Sequence, residues 1–299
     1  MLPKANRASE AVFPRLPSPL PHPMFPRLLL CTLLLSIPLH GAPTSPISLD
    51  QPVSATLRPD ILYWNLDDGV IGESSPDPVP DRSGNGIDPV LIPRGMTPTY
   101  ATGRFGTALL TAQEPGFASY PRWYSPDRET ARYRDTLLLN TPEFTLGGWV
   151  KVLYTPEARA ATITFLQSSQ RKGKTFWSFY LLKSAQEQWT LRFDYGEARY
   201  PLGVPLDSFM QGEWHHVAVS VGGSGDGPPC VTFWCDGYPI GDPLPLQAGA
   251  APEVIEGEPL YLIALMGLEG LGDDLFITRG AHSFTPPRAA ALARNAPGD

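Results

Sequence analysis

Acidic and amide side chains near both ends of the chain suit a hard cation. They lie in the segments YWNLDD, DRSGNG and GLGDD, and they are Asp67, Asp68, Asp81, Asn85, Asp273 and Asp274. Calcium takes about six to eight oxygen ligands from carboxylates, amide side chains and backbone carbonyls. A Gly/Asn loop offers several carbonyls, and an acidic strand end can complete the shell. We therefore predict a structural Ca²⁺ held first by Asp81, Asn85 and Asp273, with Asp67 and Asp274 nearby. In the alternative interpretation, Asp81 starts an ordinary turn and the two C-terminal aspartates face solvent.

A second candidate site lies in residues 119–135, SYPRWYSPDRETARYRD, where aromatic and arginine side chains alternate. Aromatic rings pack against the C–H faces of sugars, and arginine forks pair with carboxylate or sulfate groups. Binding residues are often found on long loops. We predict such a loop here, with the ligand-binding residues Arg122, Trp123, Tyr124, Arg132 and Tyr133. In the alternative, the aromatic rings fold back over the sheet and the arginines neutralise an acidic domain.

The histidines and cysteines of the C-terminal half do not indicate a metal site. His215 and His216 are adjacent in a strand-like run, so their rings point to opposite faces and are expected to pack. Cys230 and Cys235 end the run CVTFWC, which as a strand separates their Cα atoms by roughly 16 Å. A disulfide needs less than about 7 Å. With no ligand partners nearby in sequence, these cysteines predict neither a disulfide nor a zinc site.

No catalytic pair is visible in the sequence. A retaining glycosidase holds two carboxylates about 5 to 5.5 Å apart, but the acids of EVIEGEP (253–259) lie in a Gly/Pro-rich segment. VGGSGDGPP (221–229) lacks the last glycine of a nucleophile elbow. Four tryptophans in strand-like runs are predicted to be core residues, with a sugar-stacking platform as the alternative. They are Trp149, Trp177, Trp189 and Trp234.

The elements that would position these residues are strands. The 28 Gly and 35 Pro fall between aromatic and β-branched runs rather than in one block, which is typical of many short strands joined by turns. FTLGGWVKV and WHHVAVSV alternate with period two. Asp236-Gly237 directly after CVTFWC predicts a two-residue hairpin. These patterns predict an all-β, antiparallel two-sheet sandwich, followed by a short C-terminal helix in RAAALARNA.

The N-terminal segment has the pattern of an export signal. Arg27 precedes the apolar run Leu28–Leu39, and the small residues Gly41-Ala42 follow it. The run is too short to span a bilayer. We expect a disordered leader (1–23), a signal peptide (24–42), a linker (43–59) and one domain (60–296), with no membrane span after cleavage. An uncleaved membrane anchor is the alternative. The chain is acidic, with a net charge of −7, which disfavours nucleic acid as a partner.

The order of the motifs resembles that of laminin-G-like domains in the concanavalin A-like lectin/glucanase superfamily. The resembling segments are YWNLDD (63–68), DRSGNG (81–86), GRFGTALL (103–110), FTLGGWVK (144–151), GEWHHVAVSV (212–221), VTFWCDG (231–237) and GLGDDLFITRGAHS (270–283). The resemblance implies a jelly roll over residues 60–296. It also implies that the opening loop and the closing Asp-Asp strand lie close together and often hold calcium.

The expected function is that of an exported, non-catalytic module that binds a glycan or a cell-surface protein. Secretion or a cell-envelope location follows from the export signal. Two other functions stay open, because this fold hosts many activities. One is a glycoside hydrolase or another hydrolase whose catalytic residues meet only in space, and the other is a structural envelope protein.

Overall fold

The structure is a computed structural model of the 299-residue chain. It describes residues 46–73, 79–88, 90–92, 99–111, 113–114, 117–118, 120–124, 139, 141–154, 161–170, 175–184, 186, 188–196, 198–206, 209, 211–223, 228–247 and 260–288. No helix among these residues is long and apolar enough to cross a membrane.

The described elements are strands and a single turn of 3₁₀ helix, Val53–Ala55. The strands are β1 (Ile47–Ser48), β2 (Leu62–Trp64), β3 (Val90–Ile92), β4 (Thr99–Thr102), β5 (Thr107–Thr111), β6 (Gln113–Glu114), β7 (Phe117–Ala118), β8 (Tyr120–Tyr124), β9 (Phe144–Val152), β10 (Ala161–Gln170), β11 (Thr175–Lys183), β12 (Trp189–Tyr195), β13 (Ala198–Pro205), β14 (Trp214–Gly222), β15 (Cys230–Cys235), β16 (Tyr238–Pro245), β17 (Leu260–Met266), β18 (Gly270–Arg279) and β19 (Phe284–Thr285).

Two large sheets form the sandwich. One has seven strands in the order β13-β12-β11-β10-β17-β8-β3. The other has eight, in the order β16-β15-β14-β9-β18-β5-β4, with β2 pairing to β18. Strand pairing within both sheets is antiparallel. The prediction of an all-β, antiparallel two-sheet sandwich is confirmed.

The period-two patterns place the core between the sheets. Val217, Val219 and Val221 alternate along β14, and all three are fully buried. They share one cluster with Phe179 and Phe193 of the seven-stranded sheet. We call this cluster the inter-sheet core. Because successive strand side chains point to opposite faces, the intervening residues of each strand face outward.

The outward face of the eight-stranded sheet carries a second apolar cluster, called here the outer cluster. Its members are Ile47, Leu49, Val53, Tyr63, Trp149, Ala218, Phe276 and Phe284. The N-terminal segment supplies three of them, and β1 pairs in parallel with β19 through Ile47 and Phe284. Residues 43–59 were predicted to be a linker. Within that range the structure buries Ile47, Leu49 and Val53 against the sheet, while residues such as Asp50 and Gln51 stay exposed.

Proline-rich strands form one edge of each sheet. β16 has the sequence YPIGDPLP and β13 has ARYPLGVP. Proline has no amide hydrogen to donate, so it is tolerated at sheet edges and discourages pairing with another chain. Neither strand is predicted by hydrophobic alternation. The predicted C-terminal helix falls almost entirely on residues beyond Arg288, which lie outside the described residues.

Candidate functional site

A polar groove of about 490 Å³ lies on the outward face of the seven-stranded sheet. Its lining comes from β10, β11, β12, the glycine directly after β12, and β17. The lining residues are Thr162, Thr164, Gln167, Thr175, Ser178, Tyr180, Asp194, Gly196 and Met266. Hydroxyl, amide and carboxylate groups thus converge around one aromatic ring.

The strand register explains this lining. Ile163 and Phe165 point into the inter-sheet core, so Thr162 and Thr164 beside them point outward. A bulge between Thr164 and Leu166 then shifts the alternation by one residue. Leu166 takes a core position and Gln167 an outward one, so the bulge adds an amide group to the groove.

Side chains in the groove form two rows across the sheet. Thr164 pairs with Tyr180 in one row, and in the other Gln167 pairs with Ser178, which pairs with Asp194. The Tyr180 hydroxyl donates to Asp194 Oδ2 at 3.3 Å, and the Ser178 hydroxyl to Gln167 Oε1 at 3.5 Å. Burial, and then the Asp194 charge, raises the pKa of Tyr180. The tyrosine therefore stays a neutral hydrogen-bond donor.

Among the described residues, the carboxylates of the predicted calcium ligands do not bring three ligand atoms within 4.8 Å of one another. Both oxygens of Asp81 accept hydrogen bonds from within the chain: Oδ1 from the Tyr63 and Ser83 amides, Oδ2 from the Ser83 hydroxyl and the Ile87 amide. The Asn85 side-chain amide donates to the carbonyls of Asp60 and Ile61 at 2.8 and 2.9 Å. Asp81 and Asn85 therefore hold the loop of residues 81–86 against the start of β2.

Asp273 and Asp274 lie at a bulge in β18, where Asp274 has a φ of +53°. The carboxylate of Asp274 is engaged on both oxygens: it accepts from the Tyr63 hydroxyl at 2.5 Å and from the Val53 amide at 2.7 Å. Burial raises its pKa to about 6. Through its two hydrogen bonds, Asp274 connects Val53 of the N-terminal segment to Tyr63 of β2.

Asp67 and Asp273 both hold the turn Gly103–Thr107. Asp67 Oδ1 accepts from the Thr107 amide at 3.0 Å, and a Cβ on Gly106 (φ +72°) would collide with that oxygen. Asp273 Oδ2 accepts from the amides of Arg104 and Phe105. Asp273 Oδ1 is buried and has no hydrogen-bond partner.

Of the predicted calcium ligands, Asp273 is the one with a buried oxygen that a cation could neutralise. Burial, followed by the charges of Asp274 and Asp67, raises the pKa of Asp273 to about 8. A carboxylate in that position is costly to ionise, and a cation beside its unpartnered oxygen would remove the cost. Asp81 and Asn85 fit the turn interpretation, and Asp68 forms an ion pair with Arg82.

The predicted ligand-binding loop is a strand in its first part. Arg122, Trp123 and Tyr124 belong to β8, which pairs with β17 and β3 inside the seven-stranded sheet. Their side chains lie outside the described part of the structure. Arg132 and Tyr133 fall on residues that are also outside it.

The four tryptophans are packed rather than arranged as a platform. Trp177 and Trp189 belong to the inter-sheet core and Trp149 to the outer cluster. Trp234 packs against the outer cluster, and its indole N–H donates to the Ser220 hydroxyl at 3.1 Å.

His215 and His216 point to opposite faces, as predicted. The His216 ring packs among Trp149, Phe276 and Phe284, where complete burial lowers its pKa to about 3. Cys230 and Cys235 do not form a disulfide with each other. The expectation that these cysteines have no ligand partner nearby is wrong for Cys235, which lies close to His215 and Asp236.

A family-model match supports the fold. Residues 129–262 match the Laminin_G_3 family model, described as the concanavalin A-like lectin/glucanases superfamily. No curated protein matches the chain. Among solved structures, a Trypanosoma rangeli sialidase in complex with sialic acid is 16% identical, with a TM-score of 0.39, and the match covers 71% of this chain and 30% of that one.

Two phage proteins are similar over most of their own length. A carbohydrate esterase from the Shiga toxin-encoding bacteriophage phi24B is 13% identical (TM-score 0.43), and the match covers 74% of this chain and 99% of that one. The CBM2 module of the evolved Dit of Lactobacillus casei BL23 phage J-1 is 16% identical (TM-score 0.38), with 73% and 94% covered. By contrast, this chain spans less than a third of the sialidase.

Proposed function

We propose that this chain, which matches the Laminin_G_3 family over residues 129–262, is an exported glycan-binding module whose binding site is the groove on the seven-stranded sheet. The observation that carries the proposal is the set of hydroxyl, amide and carboxylate groups around Tyr180. Sugars present hydroxyl groups and C–H faces, and binding sites meet them with a few placed polar groups and an aromatic ring.

The two sheets offer different surfaces to a partner. The eight-stranded sheet has its outward face under the outer cluster, where the N-terminal segment and β19 lie. The seven-stranded sheet has the groove, with half-buried side chains such as Tyr180 and Asp194. A ligand that approaches a broad sheet face therefore meets polar groups on the seven-stranded sheet.

Binding accounts for the groove better than hydrolysis does. Among the described residues that line it, Asp194 is the only carboxylate. A two-carboxylate glycosidase needs a second acid about 5 to 10 Å away, across the scissile bond. Asp194 is suited to binding, because a carboxylate accepts strong hydrogen bonds from sugar hydroxyls. Tyr180 beside it adds an aromatic ring.

The test is a glycan array probed with the purified chain and two variants. Asp194→Ala removes a charged hydrogen-bond acceptor, which is worth about 1.5 to 3 kcal/mol, so binding should weaken by about tenfold or more. Asp242→Ala is the matched control, since Asp242 is exposed on β16 of the other sheet. It should leave binding unchanged.

Three results would count against the proposal. Equal binding by Asp194→Ala and the unmodified chain would remove the groove as the site. Retention of no glycan at all would favour the structural envelope role. Release of reducing sugar from a retained glycan would favour the hydrolase.

A further inference from the structure

Three different metal-ligand side chains meet at the end of the β14–β15 hairpin, away from the groove. His215 Nδ1 lies 2.8 Å from Asp236 Oδ2, and Cys235 Sγ lies 3.8 Å from the same oxygen. One ligand atom from each residue falls within 4.8 Å of the others. It is the only such group of three or more among the described residues.

The pairing of β14 with β15 and the turn at Asp236 bring these three side chains together. β14 and β15 pair with Val217 opposite Cys235, so His215 lies just beyond the last paired residue. Asp236 then turns the chain with a φ of +50°, a conformation that Asp tolerates better than most residues. Its Oδ1 accepts from the His216 amide at 2.9 Å, which leaves Oδ2 directed at His215.

The surroundings hold the imidazole and thiol in place. The ring of Phe209 stacks on His215 with centroids 4.4 Å apart. His215 and Cys235 are buried, at 5% and 2% exposure, whereas the Asp236 side chain is 22% exposed. A metal ion could therefore enter from the Asp236 side, and a water or an external ligand could take a fourth position.

We propose that His215, Cys235 and Asp236 bind a zinc ion. In tetrahedral zinc sites the bonds to sulfur, nitrogen and oxygen are about 2.3, 2.1 and 2.0 Å, so neighbouring ligand atoms lie roughly 3.3 to 3.6 Å apart. The nitrogen–oxygen and oxygen–sulfur separations of 2.8 and 3.8 Å bracket that range, and the nitrogen–sulfur separation lies within 4.8 Å. Ligand shifts of up to about 1 Å therefore convert the cluster into three corners of a tetrahedron.

The chemistry of the donors sets the metal class. A thiolate and an imidazole are soft and borderline ligands, which zinc, cobalt and copper accept, whereas calcium and magnesium require oxygen. The site is therefore distinct from any calcium at Asp273. It also lies on the other sheet from the groove, so it does not depend on glycan binding.

Cobalt(II) is the probe, because a thiolate ligand gives it a charge-transfer band in the near ultraviolet. The full chain, freed of metal by a chelator, is titrated with Co²⁺ and then with Zn²⁺. We expect a single Co²⁺ per chain, the thiolate band, and loss of that band when Zn²⁺ displaces it. Cys230 is the other cysteine downstream of the predicted signal peptide, so Cys230→Ser and Cys235→Ser form a matched pair in which only Cys235→Ser should lose the band.

A second variant separates metal binding from folding. Asp236→Asn keeps an acceptor for the His216 amide and tolerates the positive φ, so it should fold. It should weaken Co²⁺ binding by at least about tenfold. An unmodified chain that shows no thiolate band would overturn the proposal, as would a Cys235→Ser variant that keeps the band or an Asp236→Asn variant that binds as tightly as the unmodified chain.

Discussion

Buried charge at Asp273 has a measurable cost. The residue is fully buried, and its two hydrogen bonds come from backbone amides to one oxygen. Burial raises its pKa from 3.8 to about 8. Between those values the folded state keeps a proton that the unfolded state releases. The stability that this proton contributes is complete below about pH 4 and is lost as the pH rises through 8.

Asp273→Asn should therefore flatten the dependence of stability on pH. The amide imitates the protonated acid, since its oxygen can still accept from Arg104 and Phe105. We expect the variant to match the unmodified protein near pH 4 and to exceed it near pH 8 by an amount on the order of a few kcal/mol. Urea unfolding across this pH range is the measurement.

Asp60→Asn serves as a control of opposite sign. Burial alone would raise the pKa of Asp60, but hydrogen bonds and charge from Arg279 outweigh it, and the net pKa is lowered. This residue contributes stability at neutral pH that is lost on acidification, so its variant should be weaker near neutrality. If both variants gave the same pH profile, the burial argument for Asp273 would be wrong.

The same Asp273→Asn protein tests calcium. A cation beside Asp273 Oδ1 would raise the melting temperature of the unmodified chain, because a ligand of the folded state adds about 2.7 kcal/mol at a hundredfold excess over Kd. The variant should lose that increment. Identical melting curves in calcium and in EDTA would remove the cation and leave Asp273 as a buried acid that holds the turn.

At the scale of elements, β14 is a strand that is buried on both faces. Val217, Val219 and Val221 contact the inter-sheet core. Ala218 and His216 lie on the opposite side, in or against the outer cluster. Sequence alternation alone would leave one face of this strand solvated, but the N-terminal segment covers it.

Val219→Ala should cost about 1 to 3 kcal/mol of unfolding free energy, because it removes two buried methyl groups from a packed core. Val70→Ala is the matched control, since Val70 is 61% exposed and should change stability by less than about 0.5 kcal/mol. Chemical denaturation of both variants gives the comparison. Equal losses would show that Val219 is not a core residue.

Hydrophobic alternation was enough to predict two long strands of the eight-stranded sheet. FTLGGWVKV coincides with β9, and WHHVAVSV covers β14 except for its last residue. β16 was not predicted as a strand because its prolines are unfavourable in a central strand. Proline is tolerated at a sheet edge, and that is where β16 lies. The groove escaped prediction for another reason. Tyr180 and Asp194 occupy ordinary outward positions, and the sequence does not show which sheet face is left uncovered.

For the whole molecule, the N-terminal segment is part of the domain. Ile47, Leu49 and Val53 are fully or almost fully buried against the eight-stranded sheet. The Arg288 amide donates to Asp50 Oδ1 at 2.8 Å. Any processing of the chain must therefore spare residues from Ile47 onward if the outer cluster is to stay covered.

We expect the exported protein to begin near Pro43. Cleavage after Gly41-Ala42 would remove the apolar run and leave β1 intact a few residues downstream. N-terminal sequencing of protein recovered from the culture medium or the envelope fraction would establish the cleavage position. A chain that still starts at Met1 or Met24 would contradict the signal peptide, and a start beyond Leu49 would contradict the role of β1.

The parallel pairing of β1 with β19 has a mechanical consequence. Its hydrogen bonds, from the Ile47 amide to Ser283 O and from the Leu49 amide to Thr285 O, run across the direction of both strands. A pull on the chain before Ile47, opposed by a pull after Thr285, slides these strands past each other and loads both bonds together. Antiparallel strands pulled from the same end would instead separate one bond at a time. Tension along the chain therefore meets shear resistance at this pair before it reaches either sheet.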